Sequence, residues 1–520
     1  MLRKLRETRR LRQLTNNRVE LLRIFKYYIC IMNIKINKDS ETPYYQQIAE
    51  TIKCMIRNQE LIHGYKMPSE RRLAEELDVH RNTVIKAYGE LVSEGLMTVS
   101  RCAPKGYFID IPAEDDNFTN RFFPLEKMIL YNYDRHAREF MSIFADTYTD
   151  KYISFGGINM SSECSPVEGM DDIVRRLVDR DEEGNIPLVN LNETERTKKN
   201  ICRILAGENM YVKPQNIQLV SETTKAINLI ASLYMKEGDC LIAESPIVPD
   251  VVSIVRNKGI EIATVPMEED GMNMKCLEDM IIRHKPKFIY TMPSYHNPTG
   301  TVTSLEKRLK ILEITNRYGV PVIEEDSQRD FRYSGERIPS LYSLDRHKSV
   351  VYIDSFTMVF PYGIKTGYVA GPTDLVHMLG VLVSLDEIFI DNIGQFLLNE
   401  YIECGLMKKH VVKLADHYRQ KRDLVCRCLD MIADKGISYD KPQGGVLLWC
   451  TLAEGISDKR VYEEAKKRNV LIVPGYVFYP GKSGEQGHLR LCFSNVSDEE
   501  IEKGIALLGE AIDASKREDQ

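Results

Sequence analysis

The chain has no apolar run of the roughly 18 residues that a membrane-spanning helix needs. The nearest, Leu21 to Met32, is short and broken by Lys26 and two tyrosines, so no membrane partner is expected. Its twelve cysteines include no CxxC pair, which argues against zinc ribbons and dithiol redox motifs. Cys426 and Cys428 form a CxC inside a helical stretch, where their side chains face different ways, and no metal site is read there. With no secretory signal pattern and dispersed cysteines, the chain reads as cytoplasmic with free thiols. There is one tryptophan, yet 43% hydrophobic and 28% charged residues exclude a disordered, collagenous or coiled-coil protein. Net positive charge is also missing. A total of −6 and a pI near 6.0 argue, taken whole, against a nucleic-acid partner.

What is present overturns that last reading. A chain of 520 residues is too long for one ordinary core and should divide into domains. Its charge is uneven. Residues 1–31 hold nine Arg/Lys against Glu7 and Glu20, a net of +7, and residues 32–112 balance at eleven of each sign. The remaining −13 falls on residues 113–520. Met32 opens a self-contained pattern, Met-Asn-Ile-Lys-Ile-Asn-Lys-Asp. The basic extension 1–31 is therefore read as a matter of start-site choice, in preference to a nucleic-acid-binding arm or a targeting peptide.

Residues 32–112 read as a winged helix-turn-helix. Tyr44 to Leu61 places Ile48, Ile52 and Ile56 at helical spacing. Ser69 caps a short helix, Arg71 to Leu77, and a three-residue turn leads to a second, Arg81 to Val92, with Val84, Ala87, Tyr88 and Leu91 on one stripe. Strand-like Met97–Val99 and Tyr107–Ile109 flank the turn Pro104-Lys105-Gly106. Two helices on a tight turn followed by a hairpin is that motif. Its second helix enters the major groove by its first residues, here His80, Arg81, Asn82 and Thr83. Arginine reads guanine and asparagine reads adenine in bidentate fashion, so Arg81 and Asn82 are the candidate base readers. Arg71, Arg72, Lys86, Arg101 and Lys105 would position phosphates. The segment PSERRLAEELDVHRNTVIKAYGELVSEGLMTV resembles the DNA-binding domain of GntR-type bacterial regulators, through Pro68, Ser69, Arg71, Arg81, Thr83 and Glu94-Gly95 among others. The wing departs from the family, with Ala103-Pro104-Lys105-Gly106 in place of Gly-Ser-Gly-Thr.

Residues 113–150 begin acidic and turn-rich, gain helical character from Phe122 to Phe144, and are read as a linker. From 151 to 520, short apolar runs alternate with amphipathic helices. This is the pattern of an α/β body around a mostly parallel sheet. Polar motifs follow the strands, where such sheets bind ligands. They are Ser221-Glu222-Thr223-Thr224, Asn297-Pro298-Thr299-Gly300, Glu325-Asp326 and Asp354-Ser355-Phe356-Thr357.

This body resembles fold-type I pyridoxal-phosphate (PLP) aminotransferases, with a small C-terminal α+β subdomain. The resemblance runs through PSYHNPTG (293–300), VIEEDSQRDFRYSGERIPSL, DSFTMVFPYGIKTGYVAGP, PQGGVLLW (442–449) and LRLCFSN (489–495). Together with the reader it looks like the MocR subfamily of GntR regulators. That implies a PLP-binding body, an effector of amino-acid or B6-like type and a head-to-tail homodimer on double-stranded DNA.

Carrying the family's residues over one by one exposes departures. Aligning Ser355-Phe356-Thr357 on Ser-Phe-Ser puts Met358 where the Schiff-base lysine belongs, and Gly363, Gly367 and Tyr368 confirm the register. A thioether forms no imine. Lys365 stands where the family has a phosphate-binding arginine. The pyridine-nitrogen aspartate becomes Glu325, with Asp326 as a one-residue-shifted substitute, and the tyrosine two residues on becomes Ser327. The stacking aromatic becomes Val248, and a phosphate-site glycine becomes Glu222. Asn297, Ser355, Thr357, Thr223 or Thr224, and Arg490 are retained, the last in the role of gripping a ligand carboxylate. The expectation is a DNA-binding regulator with no catalytic residue, whose body senses a small ligand or dimerises. The alternative is a PLP-dependent aminotransferase, or a PLP-binding regulator that keeps the cofactor non-covalently.

Overall fold

The computed structural model describes residues 34, 36–37, 40, 42–57, 61, 63–100, 105–110, 135–147, 151–158, 160, 164, 168–182, 191–360, 364–386, 391–480 and 487–517. The extension 1–31 and Arg101 lie outside them. The chain divides into two compact units, residues 1–130 and 131–520.

The first unit has three helices, α1 (Tyr44–Arg57), α2 (Glu70–Glu76) and α3 (Arg81–Ser93), followed by an antiparallel hairpin of β1 (Met97–Ser100) and β2 (Gly106–Ile109). Ile48, Ile52 and Ile56 of α1 meet Leu73 of α2 and Val84, Tyr88 and Leu91 of α3 in one core. Asp78 turns the chain between α2 and α3 with a φ of +52°, a left-handed conformation that short polar side chains tolerate. Ser69 caps α2, its Oγ accepting from the Arg72 N–H at 3.4 Å. Because that bond is long, Ser69→Ala is expected to cost this unit only about 0.5–1 kcal/mol, read as a shift in its denaturation midpoint.

The second unit begins with the helix Arg135–Asp146, part of the stretch read as a linker. Its Phe140 and Ile143 are buried with Leu471, Val473 and Phe478. Residues 135–146 therefore belong to the body, because their apolar stripe has a partner there. After β3 (Ile153–Ser154), the main sheet takes β4 (Ile217–Val220), β5 (Cys240–Ser245), β6 (Glu261–Glu268), β7 (Gly271–Met272), β8 (Phe288–Thr291), β9 (Val322–Glu325), β10 (Val350–Ser355) and β11 (Gly367–Ala370). Their order is β4-β11-β10-β9-β8-β5-β6-β7. From β10 to β6 every neighbour is parallel, while β4, β11 and β7 join antiparallel.

The central strands open on apolar runs, residues 240–243, 288–290, 322–323 and 350–353, because both faces are covered there, and turn polar at their carboxyl ends. Leu241, Tyr290 and Ile323 pack against the helices Thr223–Tyr234, Pro249–Arg256 and Thr373–Asp386. Ile242, Ile289 and Val322, one residue away on the same strands, pack against Met274–His284 and Leu305–Tyr318. The C-terminal subdomain holds β12 (Ile437–Tyr439), β13 (Leu447–Leu452), β15 (Val473–Pro474) and β16 (His488–Cys492) as a second, antiparallel sheet. There β14 (Val470–Leu471) pairs with β3. Among the described residues no helix is long and apolar enough to cross a membrane.

Candidate functional site

In the first unit, Arg71, His80 and Arg81 line one open depression beside the turn between α2 and α3. Arg72, Asn82, Lys86 and Lys105 are also exposed, and Thr83 is half-buried. His80 has a role that sequence did not reveal. It is the N-cap of α3, and its Nδ1 accepts from the Asn82 N–H at 3.2 Å. Several cations are held by neighbours: Arg81 lies 3.7 Å from Glu70, Arg72 bonds Glu76 at 2.8 Å, and Lys86 sits 3.8 Å over the Tyr45 ring. Exposed pairs of this kind are worth about 0–1 kcal/mol, so a phosphate or a base edge displaces them cheaply.

In the second unit the strand ends open on a cavity of about 160 Å³. It gathers Thr223, Thr224, Val248, Asn297, Glu325, Ser327 and Met358 from five separate stretches of chain. Ser355, Thr357, Lys365 and Arg490 stand outside its lining. No lysine is among the described residues that line it, and the Met358 thioether does. Glu325 ends β9 and is buried. Its Oε1 accepts from Thr223 Oγ1 at 3.0 Å and Ser327 Oγ at 3.2 Å, and its Oε2 from the Tyr290 hydroxyl at 2.7 Å. Burial pushes this carboxyl up, and the three hydroxyls hold it back. Tyr290 was hidden in the apolar run of β8. Asp250, just after Glu244-Ser-Pro-Ile-Val-Pro, also lines the cavity; burial raises its carboxyl while Arg490 opposes the shift.

Beside the cavity is a wider cleft of about 1060 Å³, sharing Thr224 and Asp250 with it and lined further by Glu222, Lys225 and Lys365. Glu222 is the N-cap of the helix Thr223–Tyr234, and its Oε1 accepts a short hydrogen bond from Thr357 Oγ1. A carboxylate of the chain itself thus stands at the positive end of a twelve-residue helix. Ser355 is buried at the end of β10, where its N–H donates to Asp354.

Arg490 is 1% exposed on β16. Its Nη2 donates to the Gly156 carbonyl at 2.5 Å and its Nη1 to Asn297 Oδ1 at 3.4 Å, Nε makes no hydrogen bond, and the guanidinium lies over Phe140 and Phe478. Burial lowers its pKa to about 10. It reaches the cavity through Asn297.

Asp326 does not replace Glu325. Successive residues leave a strand on opposite faces, and Asp326 turns to Tyr352, whose hydroxyl it accepts at 3.1 Å. Close by, Arg329 donates to Tyr352 at 2.5 Å and pairs with Asp354 at 3.1 Å. Burial pushes the Asp354 carboxyl from 3.8 up to about 7 despite Arg329. The native state therefore holds this proton more tightly than the unfolded chain, and the group's contribution to stability falls as pH rises from about 4 through 7. Burial raises Glu325 and Asp250 in the same sense. Between pH 6 and pH 8 the denaturation midpoint of this unit is expected to shift further downward in the unaltered chain than in Asp354→Asn. The imidazoles of His410 and His488, lowered by burial, work in the opposite sense in both.

Comparison with known proteins matches both units. A model described as aminotransferase class I and II covers residues 183–508, and one described as bacterial regulatory proteins, gntR family, covers residues 44–103. The chain is 24% identical to the uncharacterized HTH-type transcriptional regulator YisV of Bacillus subtilis, over 91% of this chain and 97% of that protein. It is 23% identical to the HTH-type transcriptional regulator NorG of Staphylococcus aureus, over 85% and 98%. Among solved structures, the α-aminoadipate aminotransferase LysN of Thermus thermophilus is 25% identical with a TM-score of 0.66, covering 74% of this chain and 96% of that one. The protein belongs to the class I and II aminotransferase family, in the MocR-like form that carries a GntR-type helix-turn-helix ahead of the aminotransferase-like body.

Proposed function

We propose that the protein is a DNA-binding transcriptional regulator whose body binds a small ligand without transaminating it. The observation that carries this is Met358, a thioether in the wall of the cavity where the family's chemistry requires an amine. Two further features speak against PLP as the resident group. The Glu325 oxygens, which would face a pyridinium N–H, already accept from Tyr290, Thr223 and Ser327. Glu222 sets a negative charge, bonded to Thr357, at the helix end where a phosphate would sit. The residues present do not fit covalently held PLP.

In this reading the chain acts as a head-to-tail homodimer in the cytoplasm. Two copies of α3 take two half-sites, Arg81 and Asn82 read bases, and Arg71, Arg72, Lys86 and Lys105 hold phosphates. Arg490 supplies a buried cation for a ligand carboxylate, and ligand binding alters the affinity for paired half-sites. Gel mobility shifts of the full chain on DNA upstream of its own coding sequence test the proposal. A sequence-dependent shift that strengthens or weakens with ligand is expected. Absence of any shift at low salt overturns it, because the phosphate contacts alone should then bind.

A further inference from the structure

Glu325 and Asp326 leave the end of β9 in opposite directions, and the second of them enters a cavity of its own, about 130 Å³ in volume. Its walls come from the turn at Glu208–Met210, from Ser294 and Tyr295, from Arg308 and Arg329, and from the loop holding Arg332 and Arg337. Asp326 is 4% exposed, and while its Oδ2 accepts from Tyr352, its Oδ1 is buried without a hydrogen bond. Buried carboxylate oxygens are seldom left in that state. Burial raises the Asp326 carboxyl, Arg329 and Arg308 oppose the shift most, and Ser294, which accepts from Arg308 at 3.2 Å, opposes it less.

The opposite charge is just as well supplied. Arg308 is 1% exposed and donates to the carbonyls of Thr303, Pro339 and Pro293, and its charge acts on the nearby Glu324 and Asp326 carboxylates. Arg329 pairs with Asp354 at 3.1 Å, and its Nε, which makes no hydrogen bond, lies 3.7 Å from Asp330. At the mouth, exposed Arg337 pairs with Glu208 at 2.6 Å, and exposed Arg332 donates to the Gly335 carbonyl. A molecule that fills the cavity needs an N–H donor for Asp326 Oδ1 and an anionic group for the arginines at the mouth. The volume equals the share of about four waters, which suits few heavy atoms.

We propose that this cavity is a second ligand site and that it takes a small α-amino acid, its ammonium toward Asp326 and its carboxylate toward Arg332 and Arg337. The site lies back to back with the first. Ser327 and Gln328 line one cavity and Asp326 and Arg329 the other, and the loop after β8 gives Asn297 to one and Ser294 and Tyr295 to the other. A ligand in either site biases the same two segments, so the two sites are coupled. The proposal stands on its own geometry and does not depend on how the first cavity is used.

Isothermal titration of the full chain with glycine, L-alanine and L-serine, and with acetate and methylamine as half-ligands, tests it. Saturable binding of at least one amino acid is expected at millimolar concentration, with both half-ligands weaker. Asp326→Asn should weaken it about ten- to hundredfold, the worth of one charge-assisted hydrogen bond. Because Asp326 is buried, the surface double variant Arg332→Ala/Arg337→Ala carries the same test on a background that keeps the core. Arg490→Lys locates the ligand, since Arg490 bonds Asn297 of the first cavity and does not line the second. No saturable binding by any of the three amino acids overturns the proposal. So does binding that ignores both the Asp326 and arginine changes, or binding lost in Arg490→Lys.

Discussion

Incubated with PLP and reduced with borohydride, the full chain is expected to show no visible aldimine band and no phosphopyridoxyl lysine at the cavity. The reason is chemical before it is structural: Met358 has no amine to condense with an aldehyde. Lys225, Lys258 and Lys365 line the neighbouring cleft instead, where Lys225 pairs with Asp386 at 3.1 Å. Met358→Lys alone is expected to leave the spectrum unchanged, because Glu222 still faces any incoming phosphate with like charge and still holds Thr357. Adding Glu222→Gly to it removes that obstacle and should produce a reducible band. Peptide mapping after borohydride treatment reads the outcome, and a labelled Lys225 or Lys365 in the unaltered chain contradicts the prediction.

Arg81→Ala is expected to lower affinity for the specific site by about 1–3 kcal/mol, roughly a five- to 150-fold loss. Affinity for unrelated DNA should change little. Arg81 gives up only a 3.7 Å contact with Glu70 to reach a base edge, and a partly exposed pair of that length is a small cost. Asn82 should behave similarly at its own base. Arg71→Ala and Lys105→Ala should instead weaken binding to every sequence alike and flatten the salt dependence by about one phosphate each. Fluorescence anisotropy on specific and scrambled duplexes at two salt concentrations separates the two classes.

The two kinds of site were legible to different degrees, for a physical reason. The reader is local: its helices, turn and hairpin follow from spacing within about 65 residues (44–109), and the observed α2, α3, β1 and β2 lie within a residue of where the pattern put them. Even there, the capping role of His80 was invisible, because histidine is not a usual cap. In the body, strands and helices could be read from alternation, and the motif register brought seven of the expected residues into one cavity. The hydroxyls around Glu325 could not be read, since Tyr290, Thr223 and Ser327 come from β8, the helix after β4 and the end of β9. Two misreadings had a signal available. Strand alternation alone turns Asp326 away from Glu325. The stripe of Phe140, Ile143 and Phe144 in the supposed linker is the mark of a helix with an apolar partner.

The claim that this chain reads DNA through α3 is tested most directly by incubating the full-length protein with sheared genomic DNA, recovering the bound fragments and sequencing them, with Arg81→Ala in parallel. The account predicts enrichment of one motif in paired half-sites upstream of coding sequences, and loss of that enrichment in Arg81→Ala. Fragments that show no motif, or a motif that Arg81→Ala recovers equally well, would contradict it.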